Sequence, residues 1–113
     1  MKTMQGKHTL LRIFIGENEK IQGKTAYKVV LDILRREKLA GATVLRGIAG
    51  FGAKSHLHDT HLLAISEHLP IVIEAVDTEE NIRRILPEID GIVTDGFITL
   101  ETVEVVRYHP KTQ

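Results

Sequence analysis

The chain has 113 residues, 42% hydrophobic and 27% charged, a composition suited to one folded domain with a single core. Fifteen basic and fifteen acidic side chains cancel, so no overall field draws the chain to nucleic acid or to an anionic membrane, and any anion site has to be local. The absence of cysteine excludes disulfides, thiolate metal centres and thiol catalysis, and no apolar run approaches the roughly 20 residues of a membrane span.

Residues 1–8 are polar and aperiodic and are expected to be loose. Thr9 to Ile15 alternates as a strand, with Leu11, Ile13 and Ile15 on one face and Leu10, Arg12 and Phe14 on the other. A turn-rich stretch, Gly16 to Lys20, and Gly23 then lead to a helix expected from about Lys24 to Leu39. Tyr27, Val30, Leu31 and Leu34 form its buried stripe, Arg35, Arg36 and Lys38 suit its carboxyl end, and Gly41 is the expected left-handed cap.

A second strand starting near Ala42 runs into Arg46-Gly47-Ile48-Ala49-Gly50-Phe51-Gly52 and then a loop bearing Lys54, His56, His58 and His61. Three glycines bare the backbone beside cationic side chains, which suits an anion, phosphate above all. The same residues also suit a glycine-kinked strand and a solvated turn. A third strand opens at Leu69-Pro70, with Ile71, Ile73 and Ala75 alternating against Val72, Glu74 and Val76.

Asp77 is the expected cap of a second helix, with Glu80 three residues on as in a capping box. Ile82, Ile85, Leu86 and Ile89 make its stripe, Pro87 should loosen the last turn, and Asp90-Gly91 should end it. The last β segment, Ile92 to Tyr108, is expected to break at Asp95-Gly96 and again near Glu101-Thr102, and residues 109–113 to be loose. The order β-α-β-β-α-β predicts an α+β, ferredoxin-like sandwich, with both helices on one face of an antiparallel sheet. The other face still carries apolar side chains, which predicts self-association.

Three segments resemble the PII-like signalling superfamily: Gly50-Phe51-Gly52, the strand Leu69 to Val76, and Asp95-Gly96-Phe97-Ile98, which is similar to that family's phosphate-binding loop. Together with Arg46-Gly47-Ile48, His56 and His58, they resemble its short branch known only as a domain of unknown function, and the likeness runs from about Thr9 to Tyr108. The resemblance implies a single PII-like domain over residues 1–113, assembled as a homotrimer. An adenine nucleotide would sit in the clefts between subunits. Gly50, Phe51 and Gly52 would line one wall, Asp95 and Gly96 the phosphate end, and Arg107 would reach the phosphates.

Phe97 replaces the family's loop lysine, and Ala53-Lys54 stands where a magnesium-binding glutamine would lie. AMP or ADP is therefore expected over ATP, without 2-oxoglutarate. The resemblance further implies a regulatory protein with no cofactor beyond that nucleotide. The lack of an apolar span and of a signal-peptide hydrophobic region makes a cytoplasmic location without membrane insertion the expectation. The lack of a recognisable nucleophile–base pair makes enzymatic activity unexpected. Genes of the branch often neighbour fluoride-export channels, which suggests a regulated partner of the ion channel or transporter class.

Other uses of these residues stay open. His56, His58 and His61 suit phosphate contact, a subunit interface, or zinc, copper or nickel, so a metal-binding trimer is the alternative reading. Arg46 suits either a phosphate or a cross-sheet pair with Glu74. Arg107 suits a phosphate or a plain strand-end charge. No nucleophile–base pair is recognisable, and five aromatic residues without tryptophan offer little for a stacking platform.

Overall fold

Alternation in the strands and 3.6-residue periodicity in the helices place one apolar layer between a sheet and two helices. The computed structural model describes residues 3–50 and 69–110. The elements are β1 (Met4–Gly16), a short hairpin of β2 (Lys20–Ile21) and β3 (Lys24–Thr25), α1 (Ala26–Arg36), β4 (Thr43–Arg46), β5 (Pro70–Asp77), α2 (Glu79–Ile92) and β6 (Gly96–Tyr108). The main sheet has the order β4-β5-β1-β6, and every pair in it is antiparallel. With the hairpin set aside, this is the expected ferredoxin-like α+β sandwich. Leu11, Ile13 and Ile15 of β1 and Ile71, Ile73 and Ala75 of β5 pack with Val30, Ile33 and Leu34 of α1 and Ile82, Ile85 and Ile89 of α2.

Several boundaries differ from expectation, each for a local reason. β1 begins at Met4 rather than Thr9, because Met4 to His8 pair with the far end of β6, with a register shift between Met4 and Gly6. Gly6, at φ +95°, takes a conformation open to glycine there, and backbone pairing needs no apolar pattern to hold it. β6 likewise runs unbroken through Glu101 and Thr102, which face Leu10 and Thr9.

The loop before α1 contains its own hairpin. Gln22 and Gly23, both at positive φ, make the tight turn. Within α1, Ile33 rather than Leu31 joins the buried stripe. The left-handed residue after α1 is Lys38, at φ 63°, not Gly41. Lys38 donates to the Arg35 carbonyl and Leu39 to that of Leu34, so the paired reverse bonds of a Schellman ending close the helix.

Thr78, not Asp77, caps α2. Its hydroxyl accepts from the Asn81 N–H at 3.1 Å. Asp77 is buried instead, and its carboxylate accepts from the backbone of Ala40 at 2.9 Å and Thr78 at 2.7 Å and from Asn81 Nδ2 at 2.8 Å. One carboxylate thereby ties the chain entering β4 to the start of α2. Pro87 lies inside a helix that continues past Asp90-Gly91 to Ile92.

Candidate functional site

The glycine segment begins at one corner of the sheet. β4 ends at Arg46, which lies opposite Ile71, and the next residue donates its N–H to the Pro70 carbonyl at 2.8 Å. A Cβ on Gly47 would stand 2.6 Å from Pro70 Cγ, and one on Gly50 would stand 3.2 Å from the same atom. These two glycines therefore let the chain lie against the proline ring that opens β5. Ile48, between them, is 93% exposed.

Arg46 pairs with Glu17 at 2.6 Å, not with Glu74. The reason lies in the pleat. Val44 and Arg46 share the helix-side face with Ile73 and Ile71, whereas Glu74 lies on the outer face. Glu74 is taken by Arg12, directly opposite it on β1, at 2.8 Å, and Glu101 adds a second contact to Arg12 at 3.1 Å. The Glu74 hydrogen bond is the main influence raising the Arg12 pKa above its ordinary value. Glu17 is itself held by its N–H to the Leu69 carbonyl, at 2.9 Å.

At the opposite edge of the sheet, Gly96 opens β6 across from Ile15. A Cβ there would collide with the Phe14 carbonyl oxygen, so the backbone approach requires glycine. Asp95 immediately precedes it, half-buried and engaged in a polar contact of its own. Phe97 turns to the outer face and stacks on Phe14, with ring centroids 4.4 Å apart and planes 15° apart.

The register fixes how these residues lie relative to one another. Arg46, Ile71, Ile15 and Gly96 form one row across all four strands. Arg46 and Gly96 are thus three strand spacings apart, about 14 Å. Arg107 stands eleven positions along β6 from Gly96, roughly 36 Å of extended chain, at the opposite end of the sheet. Within one chain, Arg46, Gly47 and Gly50 come together at one corner and Asp95 and Gly96 at another, and Arg107 joins neither. Phe51, Gly52, His56, His58 and His61 lie outside the described residues, and with them the metal-ligand reading. Among the described residues no cluster of three metal-ligating side chains occurs.

Sequence reasoning overlooked Glu17 as the partner of Arg46, Pro70 as the surface that the glycines serve, and Phe14 as the support of Phe97. Only the last left a readable signal, since both phenylalanines fall on outward-facing positions of their strands.

Residues 8–105 match the profile of DUF190, a family described as "Uncharacterized ACR". The chain belongs to the DUF190 family. A UPF0166 protein of Aquifex aeolicus is 45% identical over 100 residues, covering 88% of this chain and 94% of that one. Another, from Methanocaldococcus jannaschii, is 36% identical over 102 residues, covering 89% and 94%. The fold is that of PII-like proteins. CPII of Thiomonas intermedia K12, a nitrogen regulatory PII-like protein solved with ADP, AMP and bicarbonate, superposes with a TM-score of 0.61 at 16% identity, covering 93% of this DUF190 chain and 99% of CPII. The structure of CPII bound to ADP and bicarbonate gives 0.63 at 20% identity, covering 92% and 91%. Among the described residues of this DUF190 chain, no helix is long and apolar enough to cross a membrane.

Proposed function

We propose that this DUF190 protein is a regulatory nucleotide sensor. It assembles as a homotrimer, binds AMP or ADP in the clefts between copies, and passes the bound state to a partner protein rather than catalysing a reaction. The observation that carries this reading is the separation of the candidate residues within one chain. The glycine corner, the Asp95-Gly96 corner and Arg107 do not meet, so a shared site needs a second copy to bring an edge of its sheet alongside. The outer sheet face offers the means. Leu45 is 46% and Phe97 58% exposed there, and no helix among the described residues covers them. CPII supports the ligand class, having been solved with ADP and AMP on the same fold.

Low phosphate charge is the consistent choice. Phe97 offers no cation beside Asp95-Gly96, and Arg46 is already neutralised by Glu17. A missing charge-assisted hydrogen bond is worth about 1.5–3 kcal/mol and costs a triphosphate most. Calorimetric titration is expected to rank AMP or ADP at least level with ATP, with no effect of 2-oxoglutarate. Tight, magnesium-dependent ATP binding strengthened by 2-oxoglutarate would overturn the ranking. No binding of any adenine nucleotide would overturn the ligand class.

A further inference from the structure

The sheet narrows at the amino end of β1. β5 stops at Asp77, opposite Thr9, while β1 and β6 go on pairing as far as Met4 and Tyr108. Among the described residues the sheet therefore ends there as a two-stranded ribbon, an arrangement that is marginal by itself in water. The ribbon is also irregular. Val105 faces Gly6 and Tyr108 faces Met4, so Val106 and Arg107 together stand against Gln5. Arg107 thus lies in a bulge, exposed, where the ladder is interrupted and the strand bends.

Beyond the bulge the ribbon is fastened to the body of the fold. The part-buried Tyr108 hydroxyl donates to the Ala40 carbonyl at 3.2 Å, 68 residues away in sequence. Ala40 is a firm anchor, because its own N–H is held at 2.9 Å by the buried Asp77 carboxylate. The bulge is pinned on both sides, by the pairing of Val105 with Gly6 before it and by Tyr108 after it. A bulge re-aims the side chain it carries. A fixed base also spares part of the ordering cost when a long arginine side chain donates to an oxyanion.

We infer that Tyr108 is a positioning residue, whose hydroxyl, fastened to Ala40, holds the bulge that directs Arg107 at the phosphate of the ligand. The inference rests on the nucleotide reading above, in which Arg107 reaches the phosphates.

Calorimetric titration of AMP into the wild type, Tyr108→Phe, Arg107→Gln and the double variant tests it, with sedimentation velocity of each. Tyr108→Phe removes one neutral hydrogen bond and should weaken AMP binding about threefold to tenfold, at unchanged sedimenting mass. Arg107→Gln removes a charge-assisted bond and should weaken it about tenfold or more. The double variant should bind no more weakly than Arg107→Gln, because the hydroxyl acts only through the arginine. AMP bound equally by the wild type and Tyr108→Phe would overturn the inference while leaving the nucleotide reading intact. Losses that multiply in the double variant would overturn it too, since the hydroxyl would then act on the fold and not through Arg107. Undiminished affinity in Arg107→Gln would remove the group that Tyr108 is said to position. A lower assembled mass for Tyr108→Phe would also overturn the inference, making the tyrosine a contact between copies. A wild-type protein that binds no AMP removes both readings.

Discussion

Gly47 donates its backbone N–H to the Pro70 carbonyl at 2.8 Å and lies so close to the ring of the same proline that its own Cβ would fall 2.6 Å from Cγ. The glycines of this corner are thus first a packing device, whatever ligand they also serve. Gly47→Ala is expected to lose about 1–3 kcal/mol in a urea melt, as overpacking does, and Gly50→Ala less, since its contact is longer. Gly96→Ala should lose the most of the three, because its Cβ meets backbone rather than a ring that can give. Equal stability for Gly96→Ala and the wild type would contradict the close approach of β6 to β1.

Asp77 is the polar pivot of the fold. Its carboxylate satisfies the N–H groups of Ala40 and Thr78 together with the Asn81 amide. Asp77→Ala leaves three part-buried donors without that acceptor and should cost about 2–4 kcal/mol, with Asp77→Asn intermediate. Thr78→Ala, which removes only the cap, should cost about 1 kcal/mol. Chemical denaturation of the three variants checks the order, and a Thr78 loss larger than the Asp77 loss would reverse the assignment.

Lys38 occupies the left-handed position that glycine fills at many helix ends. Lys38→Gly relieves the Cβ clash there and is expected to stabilise the protein by about 0.5–1 kcal/mol, read as a raised melting temperature. A fall in melting temperature would show that the lysine side chain contributes more than its backbone costs.

The helix surface carries a charge network centred on Glu37. Hydrogen bonds from Arg84, at 2.6 Å, and then from Arg36, at 3.0 Å, hold its pKa below the ordinary carboxylate value. A depressed folded pKa means the unfolded chain binds the proton first. The stabilisation is therefore whole above the unfolded value, near pH 4.3, and fades as pH falls from there through the folded value. Glu37→Gln should flatten this part of the acid limb of stability against pH, and salt should weaken the wild-type effect because the groups are exposed. An identical acid limb in the two proteins would exclude the network as its source.

Much of this architecture could be read from residues alone, and the failures have common causes. The alternation of Leu11, Ile13 and Ile15 and the stripe of Ile82, Ile85 and Ile89 mark buried faces because burial selects apolar side chains at fixed periods. Met4 to His8 escaped because a strand held by a backbone ladder needs no such pattern. The choice of Arg46 or Arg12 as the partner of Glu74 depended on which residues of distant strands share a face, and only the register decides that. The glycine corner was legible as bare backbone. Its purpose was not, since Pro70 lies twenty residues from Gly50 in the chain and becomes its neighbour only through folding.

Sedimentation velocity over a dilution series, with and without AMP, tests most directly whether nucleotide is held between copies. A ligand bound only by the assembled form must favour assembly. The expected result is a species of three times the chain mass at micromolar concentration, whose dissociation moves to lower protein concentration when AMP is present. A monomer that binds AMP with undiminished affinity, or a trimer whose dissociation AMP leaves unmoved, would contradict it.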